Sequence, residues 1–240
     1  MDQYEKEAYI EMKQWEERIL KRSSMIQRLS KQTQIRVNSL IPEKAHEIVT
    51  ESIKKMVEGI LTGSNMMTKD VPVQVQSLRE QEELIGKKLA SYKKTAAIEG
   101  AGTGVGGILL GMADFPLLLS IKMKFLFEIA TIYGFDVRKY EERIYMLYVF
   151  QLAFSSREHR KNALKIMKDW SKEKEVVKDI EWRAFQQEYR DYIDLAKFFQ
   201  LLPGVGAAVG AVANYRLLDH LGEVAINAYR IRIFTSDKTR

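Results

Sequence analysis

The chain has 240 residues, a net charge of +6, no cysteine, three histidines and four prolines. That length is enough to bury a sizeable core. The missing cysteines exclude disulfides and thiolate metal sites, and His46, His159 and His220 are too widely spaced to mark a histidine metal cluster. Few prolines, few turn dipeptides and much Lys, Glu, Gln, Leu, Ile and Met point to an all-α fold.

Tyr4, Ala8, Met12, Trp15 and Ile19 recur at spacings of three and four, which predicts an amphipathic opening helix. The opening residues Met1 to Glu7 are polar and acidic, unlike a secretory signal, so a cytoplasmic location is expected. Between Glu17 and Glu43 no acid occurs, while Arg18, Lys21, Arg22, Arg28, Lys31 and Arg36 fall inside that window. This cationic stretch suits an anionic membrane surface, where each base adds about 1 kcal/mol of attraction; an ordinary solvated face is the plainer alternative.

Pro42 and Glu43 suit a helix start, and Ile48, Val49, Ile53, Met56, Val57, Ile60 and Leu61 form one stripe that Gly63 ends. The segment from Thr62 to Pro72 reads as the clearest loop. Residues 1–72 are thus expected to form N-terminal amphipathic helices and 73–240 a helical core, continuous with them in one domain. Helix resumes near Val75 and runs to about Ala97, carrying a second basic group at Lys87, Lys88, Lys93 and Lys94.

Two quasi-repeated glycine-rich elements follow, near 100–121 and 201–221. Gly104-Val105-Gly106 leads to Ala113-Asp114-Phe115 and Leu117-Leu118; Gly204-Val205-Gly206 leads in the same register to Ala213-Asn214-Tyr215 and Leu217-Leu218. Gly100 and Gly104, Gly102 and Gly106, Gly107 and Gly111, and Gly206 and Gly210 are each four apart, so small residues share a face and backbones can approach closely. Such elements can pack on each other, line a pocket or lie at a membrane. Neither offers the uninterrupted run of about 20 apolar residues that a span requires, because Asp114 and Pro116 break the first, and Asn214 and Arg216 the second.

Gly102-Thr103-Gly104-Val105-Gly106-Gly107 satisfies G-x-G-x-x-G, with Glu128 further on, but no strand precedes it and no βαβ alternation follows. Walker, G-x-S-x-G and H-E-x-x-H patterns are absent. Asp114, Asn214 and His220 are the polar groups set in apolar runs; Asp114 before Pro116 fits a helix cap. The candidate seam between the two elements therefore comprises Gly104, Gly106, Asp114, Pro116, Gly204, Gly206, Asn214 and His220. No metal, cofactor or catalytic residue is expected there.

The helix after Pro116 should stop at Gly134, and Asp136 can cap the next, from Ile144 to Phe154, whose apolar residues on all sides predict a central buried helix. Arg157 to Lys178 should lie outside, anchored by Trp170. Asp179 can cap a helix with an aromatic stripe from Trp182 to Phe199. Arg230, Arg232, Lys238 and Arg240 form a third cationic group. Acids and bases interleave over most of the chain, so no nucleic acid is expected as a partner.

Glu99 to Gly107, the Gly111-Met112-Ala113-Asp114-Phe115-Pro116 turn, Ala130 to Asp136, and Leu202-Pro203-Gly204-Val205-Gly206 through Asn214-Tyr215 together resemble the EcsC protein family over nearly the whole chain. The family takes its name from an operon that also encodes an ABC transporter of the Ecs type. The resemblance implies a non-catalytic accessory role beside transporter subunits, at the cytoplasmic face of the membrane, and supplies no reaction. The residues leave an alternative of another class: a small-molecule or lipid binding protein, or an enzyme, with a pocket between the glycine-rich elements.

Overall fold

A computed structural model describes residues 1–21, 43–62, 77–103, 115–155, 157–177 and 207–236. Among them lie eight helices: α1 (Gln3–Lys21), α2 (Glu43–Thr62), α3 (Leu78–Thr103), α4 (Phe115–Ile132), α5 (Tyr140–Phe154), α6 (Arg157–Lys168), α7 (Trp170–Val177) and α8 (Ala207–Ser236). The described residues form an all-helical fold, as the composition implied.

Two of the starts are reciprocal capping boxes. At α1 the Glu5 N–H donates to Asp2 Oδ1 and the Asp2 N–H to Glu5 Oε2, both at 2.8 Å. At α3 the Glu80 N–H donates to Ser77 Oγ at 3.3 Å and the Ser77 N–H to Glu80 Oε2 at 3.2 Å. This box sets the start of α3 at Leu78 rather than near Val75, and the helix continues past Ala97 to Thr103. α2 stops at Thr62, before Gly63. α4 stops at Ile132, and Gly134 takes φ +84°, a conformation that favours glycine.

Asp136 does not cap α5. Its carboxylate instead accepts the Arg138 N–H at 3.1 Å and Arg138 Nε at 2.8 Å, and α5 begins after Lys139, whose side chain makes no capping bond. The competing guanidinium two residues away explains the difference. The predicted aromatic helix after Asp179 lies outside the described residues, as do Lys238 and Arg240.

α5 forms the centre. Every residue from Ile144 to Phe154 is buried, among them Tyr145, Phe150 and Phe154. Trp170 on α7 packs edge-on against Tyr145 with ring centroids 5.0 Å apart. α1 lays Ala8, Met12, Trp15 and Ile19 into the same core.

α3 and α8 make the most extensive helix pair and run antiparallel: Glu82 meets Arg230 near one end and Lys93 meets Asp219 toward the other. Between these pairs a Cβ added at Gly222 would sit 2.8 Å from Leu89 Cδ2. Glycine thus permits this close approach, which outweighs its helix cost of about 1 kcal/mol.

Candidate functional site

The helix directions bring several termini to one end of the bundle. α4 runs antiparallel to α3, with Tyr92 and Phe125 rings 5.4 Å apart, and hence parallel to α8, with Tyr133 and Tyr229 rings 5.5 Å apart. α5 runs antiparallel to α8: Tyr145 Oη donates to Ala228 O at 2.7 Å, and Phe154 reaches His220. α6 turns back along α5, and Arg160 Nη1 donates to Ile19 O at 3.1 Å, so α1 ends there too. Arg143 donates to Leu61 O, which puts the C-terminus of α2 at the opposite end. One end therefore gathers the starts of α2, α4, α6 and α8 and the ends of α1, α3 and α5. Both glycine-rich segments leave the described helices at this end.

Exposed apolar side chains gather there as well. Ile98 on α3 is 72% exposed, Leu117 on α4 46%, and Val212 and Tyr215 on α8 50% and 43%. The register makes them level. Descending α4 from Tyr133 to Leu117 corresponds to descending α8 from Tyr229 to the turn around Val212, and the antiparallel run of α3 brings Ile98 opposite that same turn. The other exposed large hydrophobics among the described residues are Met1, which precedes α1, and Ile10, in its third turn.

The predicted seam residues fall in different settings. Pro116 is exposed in the first turn of α4, and the position of Asp114 immediately precedes that helix. Asn214 is buried within α8, which passes unbroken through it. The two copies of the sequence element thus differ locally, one meeting a helix start and the other a helix interior. His220 Nε2 lies 3.2 Å from Ala153 O and Nδ1 3.6 Å from a Glu223 carboxylate oxygen. Gly104, Gly106, Asp114, Gly204 and Gly206 lie outside the described residues, as do Arg22, Arg28, Lys31 and Arg36. Arg18 and Lys21 are exposed on the last turn of α1.

A groove of about 520 Å³ opens between α2 and α4 near this end. Ile48, Met56, Pro116 and Leu119 form its apolar lining, with Ser52, Ser120, Glu47 and Glu51 among its polar groups. Among the described residues no cluster of His, Asp or Glu is arranged to hold a metal, and no helix is long and apolar enough to cross a membrane.

Sequence reading missed the buried polar groups. Lys122, on the inner face of α4, is 2% exposed, and its Nζ donates to Leu118 O at 3.3 Å. Burial, with no carboxylate of the described residues beside it, pulls its pKa down to about 8. Glu82 accepts hydrogen bonds from Tyr4 Oη at 2.6 Å, Tyr133 Oη at 3.1 Å, and Arg230 Nε and Nη2 at 2.7 and 2.5 Å. Burial, reinforced by this carboxylate, pushes the Tyr4 phenol up to about 12. Arg232 pairs with Glu142, with Nη2 2.8 Å from Oε1, and lies over the Phe135 ring at 4.0 Å. Arg230 and Arg232 are therefore internal ties rather than part of a surface cationic group. Their acids lie 148 and 90 residues away in sequence, so no local pattern marked them.

The EcsC protein family model matches residues 6–234. The chain is 56% identical over 220 residues to Protein EcsC of Bacillus subtilis (strain 168), covering 92% of each chain. It is 33% identical over 141 residues to Uncharacterized protein YdbA of the same organism, covering 57% of this chain and 52% of that one. No solved structure matches. Over nearly its whole length, the chain belongs to the EcsC protein family.

Proposed function

We propose that this protein is a non-catalytic accessory protein that attaches peripherally to the cytoplasmic face of the membrane, beside an ABC transporter, through the end of the bundle where the glycine-rich elements emerge. One observation carries the attachment: Ile98, Leu117, Val212 and Tyr215, on three separate helices, are exposed at one level of that end. Helix ends that expose a level ring of apolar side chains gain by entering the interface, at about 25 cal/mol per Å² of apolar surface removed from water. Arg18 and Lys21 lie at the same end, where α1 leads into the cationic stretch. The transporter association rests on the family resemblance.

Substituting Leu117→Asp together with Val212→Asp is expected to lower partition onto lipid vesicles at least tenfold. Both positions are exposed, so the melting temperature should stay close to that of the parent. Unchanged flotation with vesicles would overturn the attachment.

A second reading has its own support in the groove between α2 and α4, whose lining suits the chain of an apolar or lipid-like ligand. Under that reading, Ser120→Arg, at a part-exposed position in the groove wall, abolishes binding of a fluorescent fatty-acid probe while vesicle binding persists. A probe that never binds the parent protein would remove this reading.

A further inference from the structure

On α3, α4 and α8 the exposed apolar residue nearest the glycine end is followed on the same helical face, toward the middle of the bundle, by an exposed cation. The pairs are Ile98 with Lys94, Val212 with Arg216, each four residues apart, and Leu117 with Lys124, seven apart. Spacings of four and seven return to one face of a helix, and at 1.5 Å per residue they set the cation about 6 to 10 Å above the apolar group. The headgroup layer on each side of a bilayer is about 5 to 7 Å thick. Among the described residues, Lys94, Lys124 and Arg216 have no ion-pair partner.

The same level continues onto α6. Exposed Lys161 and Lys165, one turn apart and likewise without a carboxylate partner among the described residues, flank a groove of about 430 Å³ with Leu20 and Leu164 in its wall. Cations without a described ion-pair partner occur elsewhere too: Lys6 stands four residues from exposed Ile10 on α1, but among the described residues no second helix adds an exposed large hydrophobic at that level, and Lys139 has none beside it. Among the described residues the acids near the ring are few and mostly engaged, Glu17 by Lys21 at 3.6 Å. Asp219 is held by Lys93 at 2.5 Å and Glu128 by Lys88 at 3.3 Å, while Glu99 is half-buried on α3. The exception is the α2 flank, where exposed Glu47 and Glu51 stand in the corresponding position, with Lys55 3.7 Å from Glu51.

We propose that Lys94, Lys124 and Arg216, extended by Lys161 and Lys165, form a collar that binds the phosphates of an anionic bilayer once the apolar tip has entered it, and that the acidic α2 flank tilts away from the surface. This rests on the membrane attachment proposed above and adds lipid class, depth and orientation. The tip is apolar and does not distinguish lipid charge, so the collar supplies the selectivity: opposite charge attracts each base to an anionic leaflet and not to a neutral one.

The test uses the full chain with three sequences: parent, tip variant (Leu117→Asp with Val212→Asp) and collar variant (Lys94→Glu, Lys124→Glu and Arg216→Glu). Each is floated with phosphatidylcholine vesicles and with vesicles also containing phosphatidylglycerol, at low and high salt. The parent should prefer the phosphatidylglycerol vesicles, and the collar variant should lose about a hundredfold in partition there while matching the parent on phosphatidylcholine. Equal parent binding to both vesicles, or a collar variant that still prefers phosphatidylglycerol, overturns the collar and leaves the attachment standing. Parent binding to neither vesicle overturns both. Competition of vesicle binding by inorganic phosphate at constant ionic strength would assign the cations to a free anion and overturn the bilayer assignment. Orientation has a separate readout, because a chain without cysteine accepts a nitroxide only at an introduced one. Labels at 94, 124 and 216 should report headgroup depth and a label at Glu47 bulk water; headgroup depth at Glu47 overturns the tilt.

Discussion

Replacing Glu82 with alanine should destabilise the protein by about 3–5 kcal/mol, a large part of the 5–15 kcal/mol that holds a typical domain folded. The reason is what remains behind. Arg230 stays buried with only Glu11, whose carboxylate is largely exposed, at 3.0 Å, and the Ala8 carbonyl at 3.5 Å. Tyr4 and Tyr133 lose their acceptor at the same time. An unpaired buried guanidinium costs more than the pair contributed, because the desolvation is no longer offset. Glu82→Leu with Arg230→Met should therefore recover most of the loss, since it removes both charges and leaves apolar volume. Urea unfolding of the two variants at neutral pH separates the effects; a double variant as unstable as the single one would show that the network matters for more than its charge balance.

Replacing Lys122 with methionine should stabilise the protein by about 3 kcal/mol at pH 6 to 7. Its amine titrates at about 8 in the folded chain against 10.5 for an ordinary lysine, and each unit of difference corresponds to about 1.4 kcal/mol. Between those two values the unfolded chain binds more protons than the folded one, so this group's contribution makes stability rise with pH across that window. The penalty is fully present below pH 8 and gone above about pH 10.5. The difference between parent and Lys122→Met should accordingly be flat below pH 8 and shrink from there upward. A difference that stays constant from pH 7 to 10 would mean that the amine reaches water or an anion in solution.

Periodicity made the apolar faces legible. Ala8, Met12, Trp15 and Ile19 are buried as their spacing required, the apolar run from Ile144 to Phe154 is the central helix, and Gly134 ends α4's turn. Those features depend on residues a few positions apart, where sequence distance and spatial distance agree. Charges behave otherwise. Arg230 and Arg232 read as surface bases until α3 and α5 bring Glu82 and Glu142 to them, and Asp136 read as a cap until Arg138 competed for it. Lys122 gave no signal, since a lone lysine in an apolar helix ordinarily snorkels to water, and here α4 turns it inward.

The candidate site was legible only in part. Pro116 lies at the shared end and Asn214 near it, but of the apolar tip Ile98 and Val212 were singled out by no motif, and Leu117 and Tyr215 stood in the repeated element without any sign that they are exposed. Exposure of an apolar residue depends on where neighbouring helices stop. That is set by the mutual register of α3, α4 and α8 and not by any one of them.

That register has a mechanical consequence. α8 is a rod of 30 residues, about 45 Å long, gripped by carboxylates of α3 and α5 through arginines two positions apart, with Gly222 seated against Leu89 between those grips and the tip. A slide of one residue would advance it 1.5 Å and rotate it by 100°. Both grips would break, and the residue then replacing Gly222 would collide with Leu89. Helix ratcheting is thereby opposed, so a push on Val212 and Tyr215 travels along α8 as rigid displacement.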